Sequence, residues 1–197
     1  MYKNYIKRFL DIIIAIVALP FFFIELIFVA PIIFFSDKGP VFYNAPRVGR
    51  NGKLFKMCKF RSMYVNAPDI RNEDGSTYNS QNDLRVTPIG RILRKTSLDE
   101  TAQILNILNG TMSLIGPRPD LPTALEKYTE EERKKLNVRP GITGYNQAFY
   151  RNSVIWKESL QHDVYYVEHC SFIMDVKVFF RTIYSVLLKK GINRNKD

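Results

Sequence analysis

The chain has 197 residues, with 29 Lys and Arg against 19 Asp and Glu, so its formal net charge is +10 with both histidines neutral. That length fits one domain with a core of its own, and the charge calls for acidic partners: nucleic acid, anionic lipid or phosphorylated substrates. The two cysteines, Cys58 and Cys170, lie far apart with no His or Cys at metal-ligand spacing, which leaves no zinc knuckle and fits reduced thiols in a cytosolic setting. His162 and His169 lack ligand-like company and read as structural, and no internal repeat or low-complexity tract is visible.

Residues 9–35 are almost wholly apolar, interrupted by Asp11, Pro20, Glu25 and Pro31. A helix needs about 20 apolar residues to cross a bilayer, so this segment is long enough to span. Pro20 removes a backbone donor near the middle and predicts a bend or break there. Lys3, Lys7 and Arg8 precede the segment, and Lys38, Arg47, Arg50 and Lys53 follow it. Lys and Arg stay on the cytoplasmic side, which favours both ends on one face and hence a re-entrant hairpin. A spanning helix, a soluble core segment and a signal peptide are the alternatives; a good small-residue cleavage site for the last is missing. The segment divides the chain into a membrane anchor at 1–36, a cytosolic domain at 37–190 and a basic tail at 191–197.

Gly39-Pro40 marks the exit from the apolar segment. Val41-Phe42-Tyr43 and residues 54–60 read as strands, and Asn51-Gly52 is a strong tight-turn signal between them. Alternation along the second strand brings Lys59 and Arg61 out together at its end, suited to phosphate oxygens; a solvated basic edge is the alternative. Residues 66–83 are polar and turn-rich and read as a long surface loop. Their acids do not follow a calcium-loop spacing.

Arg85, Arg91, Arg94 and Lys95 lead into the most informative run, Thr96-Ser97-Leu98-Asp99-Glu100 and the residues to Gly110. Ser97 with Glu100 three positions on predicts a capping box, and Gly110 a helix end. Asp99 then falls in the first helical turn, where unpaired N–H groups and the helix dipole keep a carboxylate ionised. Such a carboxylate, with four cations close by, is a candidate nucleophile toward phosphorus. Glu100 points roughly 100° away on a helix, so it supports the turn and is no facing partner. The plainer alternative is that both acids dress a helix start.

Beyond the helix, Pro117 and Pro119 stiffen the backbone around Arg118, which suits bidentate phosphate recognition. Residues 128–136 read as a charged, solvated helix. Arg139-Pro140-Gly141 opens a turn cluster, and Tyr145, Gln147, Phe149 and Tyr150 follow as an aromatic and polar run able to stack on a base or to pack at a domain edge. The last helix gathers Phe172, Val176, Phe179, Phe180, Ile183 and Leu187 on one face, with Asp175, Lys177, Arg181, Ser185 and Lys189 elsewhere. That is amphipathic spacing, fit for a membrane interface or for a core.

In chain order, Lys7-Arg8 with Asp11, Gly39-Pro40-Val41-Phe42, Arg47-Val48-Gly49, Lys59-Phe60-Arg61-Ser62-Met63, Thr96-Ser97-Leu98-Asp99-Glu100, residues 112–119 and residues 138–144 resemble the bacterial sugar transferases. These are the monotopic phosphoglycosyl transferases that start glycan assembly on undecaprenyl phosphate. The resemblance covers nearly the whole chain and implies the small, single-domain kind. It implies a membrane-associated α/β fold: a re-entrant membrane helix, a small β-hairpin, and surrounding helices that include amphipathic interfacial ones. It also implies a bacterial cytoplasmic-membrane location with the catalytic domain on the cytosolic face, Mg²⁺ at Asp99, and transfer of a sugar-1-phosphate from a UDP-sugar to undecaprenyl phosphate with release of UMP. By the family pattern Asp99 is the nucleophile, Glu100 stands beside it and Arg118 lies near the phosphates. Three positions depart from that pattern: Leu19 precedes Pro20 where Ser is usual, Thr101-Ala102 replace Leu-Pro, and Thr111 replaces Asp.

The resemblance and the local chemistry converge on one mechanism. Asp99 attacks the sugar-bearing phosphorus, and the lipid phosphate then displaces the carboxylate. Arg118, Lys59, Arg61 and Arg94 neutralise charge with Mg²⁺, while Arg139, Tyr145 and Gln147 serve the nucleotide. The rivals are a basic non-catalytic membrane-binding protein and a glycosyltransferase that releases UDP. A nucleic-acid role leaves the apolar segment without a purpose.

Overall fold

The computed structural model describes residues 1–70, 78, 80, 82–150 and 153–187. After a short π-helical turn (Tyr2–Ile6), helix α1 runs from Lys7 to Asp37 and continues through Pro20 and Pro31. The predicted break at Pro20 is therefore absent from the hydrogen-bond pattern: a proline removes one donor, and the turns on either side persist. Lys38, at φ 56°, ends the helix, its N–H capping the Phe34 carbonyl. Among the described residues α1 is the one helix long and apolar enough to cross a membrane. Of its apolar residues it buries Ala15, Phe22 and Ile33, with Ala18, Leu19, Leu26 and Val29 partly buried against the same core, and turns much of the rest outward, with Phe21 70% and Phe35 77% exposed.

Both ends of α1 are gripped by the same body. Near the start, Lys7 pairs with Asp175 at 2.6 Å, Arg8 donates to the Ile107 carbonyl at 2.5 Å, and Asp11 accepts the Leu114 N–H at 3.0 Å. At the far end, Arg61 holds both oxygens of Asp37 at 2.6 Å.

Strands β1 (Phe42–Val48) and β2 (Leu54–Phe60) form the predicted antiparallel hairpin, in register from Phe42 opposite Phe60 to Val48 opposite Leu54. Asn51 at φ 57° and Gly52 at φ 75° make the turn, the left-handed region that Asn and Gly tolerate best. Phe60 packs its ring on Phe42 and Phe22, joining hairpin to α1 in a core with Met57, Leu93, Ala102, Ile104, Ile107 and Met112. Each such side chain contributes about 1.5–3 kcal/mol on burial. Of the predicted surface loop, residues 71–77, 79 and 81 lie outside the described residues.

Helix α2 (Pro88–Thr96) starts at Thr87, whose hydroxyl accepts the Gly90 N–H at 3.0 Å, with Pro88 in the first position. A Cβ on Gly90 would fall 1.9 Å from the Ser62 carbonyl oxygen, so α2 lies directly on the backbone leaving β2. The predicted single helix from Ser97 is instead three pieces: Ser97 in the left-handed region (φ 60°), a 3-10 segment Leu98–Gln103, and α3 (Ile104–Leu108). The capping box does not form. An N-cap needs extended backbone, and left-handed Ser97 makes no side-chain cap. Gly110, at φ 85°, does turn the chain after α3.

A short strand, β3 (Ser113–Ile115), follows α3. Helix α4 (Glu130–Arg133) carries the capping box that Ser97 lacks, formed by Thr129 and Glu132. The predicted solvation of residues 128–136 is corrected at two positions: Tyr128 and Lys135 are buried, Lys135 to 4% exposure. Strand β4 (Gly141–Thr143) then pairs parallel with β3, a two-stranded sheet that alternation does not announce. Gly116, Gly141 and Gly144 meet backbone to backbone there; a Cβ on Gly144 would sit 2.1 Å from the Gly116 carbonyl oxygen.

Helices α5 (Tyr145–Phe149), α6 (Trp156–Glu168) and α7 (Phe172–Leu187) close the fold over a second core of Ile115, Val138, Ala148, Tyr166, Val167 and Val178. On α7 the charged residue faces in: buried Asp175 accepts from Lys7, Tyr2 and Tyr166. Phe172, Val176, Phe179, Phe180 and Ile183 face out. Of the two readings of this amphipathic helix, the outward apolar face is the one present. Cys58 and Cys170 are free thiols. Lys189 and the predicted basic tail lie outside the described residues.

Candidate active site

Three segments bring charge together. Lys59 comes from the end of β2, Arg94 from the last turn of α2 with Asp99 and Glu100 from the 3-10 segment that follows it, and Arg118 from the loop after β3. Asn106 locks the second segment onto the first: its Oδ1 accepts the Cys58 N–H at 2.8 Å and its Nδ2 donates to the Lys56 carbonyl at 2.9 Å. Arg94 donates from Nε to the Ser62 hydroxyl at 2.9 Å.

Glu100 is the acid these cations hold. Lys59 Nζ lies 2.6 Å from its Oε1, and Arg118 Nη2 lies 3.7 Å from the same oxygen. Burial alone would raise the Glu100 carboxyl, but the charges of Lys59 and Arg118 and the Lys59 hydrogen bond outweigh it and bring it down to about 2. Glu100 thus supports the site by fixing Lys59 and Arg118, not through a capping box.

Asp99 differs. It makes no hydrogen bond or ion pair among the described residues, yet the charges of Lys59, Arg94 and Arg118 act on it. Burial, with repulsion from Glu100, outweighs those cations and pushes its carboxyl up to about 6. The expected lowering by a helix N-terminus is absent, because the chain here is a 3-10 segment entered from left-handed Ser97. Two adjacent acids are thereby separated: one ionised and engaged, the other open and titrating near neutrality.

The remaining sequence candidates are distributed. Arg85 is tied to Asp83 by bonds of 2.9 and 2.7 Å, and Arg91 and Lys95 are exposed. Arg61 points away from Lys59; besides Asp37 it donates to the Pro40 carbonyl at 2.5 Å and the Ile33 carbonyl at 3.3 Å. Arg139 donates to the Gly110 carbonyl at 2.9 Å. Gln147 has both amide atoms buried without a partner, beside Gly144. Tyr145 lies in an aromatic group with Phe149, Tyr150, Tyr165 and His162, the last stacked on Tyr150. Thr111 accepts from Asn106 and donates to Asn109 within its own turn.

Sequence reasoning missed the support beneath Arg118. Buried Lys135 pairs with Asp120 at 2.6 Å and Asp163 at 2.8 Å and donates to the Arg118 carbonyl at 3.2 Å. Tyr128 and Trp156 also donate to Asp120. The backbone is held while the Arg118 side chain stays 55% exposed, open to an incoming anion. The signal available was Asp120 directly after Arg118-Pro119; Lys135 was hidden among charged neighbours.

No group of three or more His, Cys, Asp or Glu able to hold a metal ion exists among the described residues. Mg²⁺ needs no such cage, since it binds through one or two carboxylates plus substrate phosphates. The unbonded oxygens of Asp99 fit that pattern.

Compared with known proteins, the chain matches the bacterial sugar transferase family over residues 2–189. It belongs to that family. This bacterial sugar transferase is 37% identical to the sugar transferase EpsL of Bacillus subtilis over 189 residues, 96% of this chain and 91% of the relative. It is 40% identical to the galactosyl transferase CpsE of Streptococcus agalactiae, and 36% identical to the undecaprenyl-phosphate galactose phosphotransferase of Salmonella typhimurium. Those alignments take in 94% and 96% of this chain but 43% and 42% of the relatives, so it spans under half the length of each. The chain is an enzyme of the transferase class.

Proposed function

We propose that this sugar transferase moves a sugar-1-phosphate from a UDP-sugar to undecaprenyl phosphate through a covalent Asp99 intermediate, opening a glycan on a lipid carrier. The observation that carries the reading is the division of labour between the two acids. Glu100 takes up Lys59 and Arg118, and Asp99 is left unbonded within reach of their charge. The names of the Salmonella relative and of an Aeromonas hydrophila relative, a UDP-N-acetylgalactosamine-undecaprenyl-phosphate N-acetylgalactosaminephosphotransferase, supply the substrate class.

In the first step an Asp99 oxygen forms a bond to the sugar-bearing phosphorus. The bond from that phosphorus to the bridging oxygen breaks, and UMP leaves with the electron pair. In the second step an oxygen of undecaprenyl phosphate bonds the same phosphorus, and the Asp99 carboxylate departs regenerated. Arg118, Lys59 and Arg94 stabilise the oxygens as charge shifts, the main service phosphoryl transfer asks of a protein. Asp99 would hold a Mg²⁺ ion, which would supply further charge neutralisation.

The same reading puts α1 in the cytoplasmic leaflet as a re-entrant anchor, with the catalytic domain on the cytoplasmic face. Support comes from the two ends of α1, both bonded to one body through Arg8, Asp11 and Asp37. A crossing helix would put those two ends on opposite sides of the bilayer, out of reach of one body lying on a single face. The outward apolar face of α7 adds a second surface for the interface. Analysis of the nucleotide by-product is the test: UMP supports the proposal, whereas UDP supports a glycosyltransferase that leaves the phosphate behind.

A further inference from the structure

A second group of cations, made of other residues, gathers where α3 ends. Arg8 donates to the last carbonyls of that helix, Ile107 at 2.5 Å and Leu108 at 3.2 Å. Its Nη2 lies 3.5 Å from where a Cβ on Gly110 would stand, and Arg139 donates to the carbonyl of that same Gly110. Two guanidiniums therefore meet at one residue. Arg50, on the hairpin turn, is close enough for its charge to act on Arg139, and its Nε is buried without an acceptor. None of the three is in an ion pair among the described residues. Asp11, the acid whose charge reaches Arg139, uses Oδ1 to accept the Leu114 N–H.

Three like charges held together repel one another and lose hydration, a cost that a bound anion removes. Desolvation, then repulsion from Arg8 and Arg50, already lowers Arg139 from its ordinary value. Position identifies the source of the anion. Arg8 stands in the first turn of α1, and directly beyond it begins the outward apolar surface of Phe9, Ile13, Ile16 and Val17. A molecule whose phosphate meets the guanidiniums can lay an apolar chain along that surface.

We propose that Arg8, Arg50 and Arg139 form a docking site for the phosphate headgroup of a lipid. The site rests on the proposed function only in making the acceptor polyprenyl phosphate one such lipid. Arg50 is its free donor: its side chain has no hydrogen bond or ion pair among the described residues to lose, so its replacement leaves the fold intact.

The test measures retention of farnesyl phosphate by the full chain in nonionic micelles, with farnesol and inorganic phosphate as competitors. The Arg50→Gln and Arg139→Gln variants should each bind farnesyl phosphate about tenfold more weakly, and Arg50→Lys should recover part of the loss. Farnesol should not compete, and inorganic phosphate should compete only in large excess. Unchanged binding in Arg50→Gln and Arg139→Gln overturns the proposal. Displacement by equimolar inorganic phosphate also overturns it, in favour of a site for a free anion. Because the readout is binding, it stands apart from turnover: Asp99→Asn should retain farnesyl phosphate even where the covalent scheme fails.

Discussion

The ammonium of Lys59 lies 2.6 Å from Oε1 of Glu100, while Asp99, the next residue back, has no bonding partner among the described residues. Lys59 thus tunes both acids while bonding only one. Replacing it with Met removes the leading charge that holds Asp99 down. The acid limb of the pH–rate profile for UMP release should move up by about one unit, which alone lowers the rate at pH 7 about twofold, and loss of the cation that faces the reacting phosphate should bring the fall to about tenfold or more. An unshifted limb would separate Lys59 from the titration of Asp99.

In the proposed scheme Asp99 attacks as a carboxylate, and its carboxyl is raised to about 6. Activity should therefore rise with pH through about 6 and lose about tenfold per unit below it. The linkage to stability has the opposite sense. A carboxyl raised above its unfolded value of about 3.9 destabilises the fold once ionised, with the penalty appearing as pH rises past that value and complete above about 6. Asp99→Asn should then melt no lower than the parent at pH 8 while losing turnover, as thermal unfolding beside a UMP assay would show.

Arg61 and Arg118 should fail in different ways. Arg61 is buried on Asp37, so Arg61→Met leaves an unpaired carboxylate and should cost about 3 kcal/mol of stability. Arg118 is half exposed, so Arg118→Ala should change stability by under about 0.5 kcal/mol and lower kcat/KM about 100-fold. Denaturant unfolding and steady-state kinetics on the two variants distinguish the roles.

These contrasts show where sequence reasoning reaches. The hairpin was legible because Asn51-Gly52 demands one backbone geometry and β2 alternates. The gathering of cations at Asp99 was legible only in part: Arg94 reaches it, whereas Arg85, Arg91 and Lys95 do not, and Lys59 and Arg118 arrive from other elements; its environment was not legible, since Ser97 and Glu100 have capping-box spacing while tertiary contacts draw Glu100 to Lys59. Arg61 leaves β2 as a phosphate binder would, and only the packing of the end of α1 against it reveals Asp37 as its partner. The β3–β4 pairing joins two strands of three residues far apart in sequence, too short for any period; Gly116, Gly141 and Gly144 were its trace. Lys135 resembled its solvated neighbours because nothing local announces burial between Asp120 and Asp163. The family pattern supplied what local rules missed, the function of a region and not its geometry.

Topology is open to a direct probe. Asn4 and Asn44 are exposed on either side of the apolar helix. With Cys58 and Cys170 replaced by Ala, single cysteines at Asn4 and Asn44 should both react from the cytoplasmic side of sealed vesicles. Labelling from opposite sides would mean a crossing helix.

The central claim, that an Asp99 oxygen bonds to phosphorus, is tested most directly by intact-protein mass spectrometry with a UDP-sugar donor and no lipid acceptor. The account predicts a mass increase of one sugar-phosphate, mapped to the peptide bearing Asp99, absent in Asp99→Asn and discharged on adding undecaprenyl phosphate. Full turnover with no such adduct at any time, or an adduct that persists in Asp99→Asn, would contradict it.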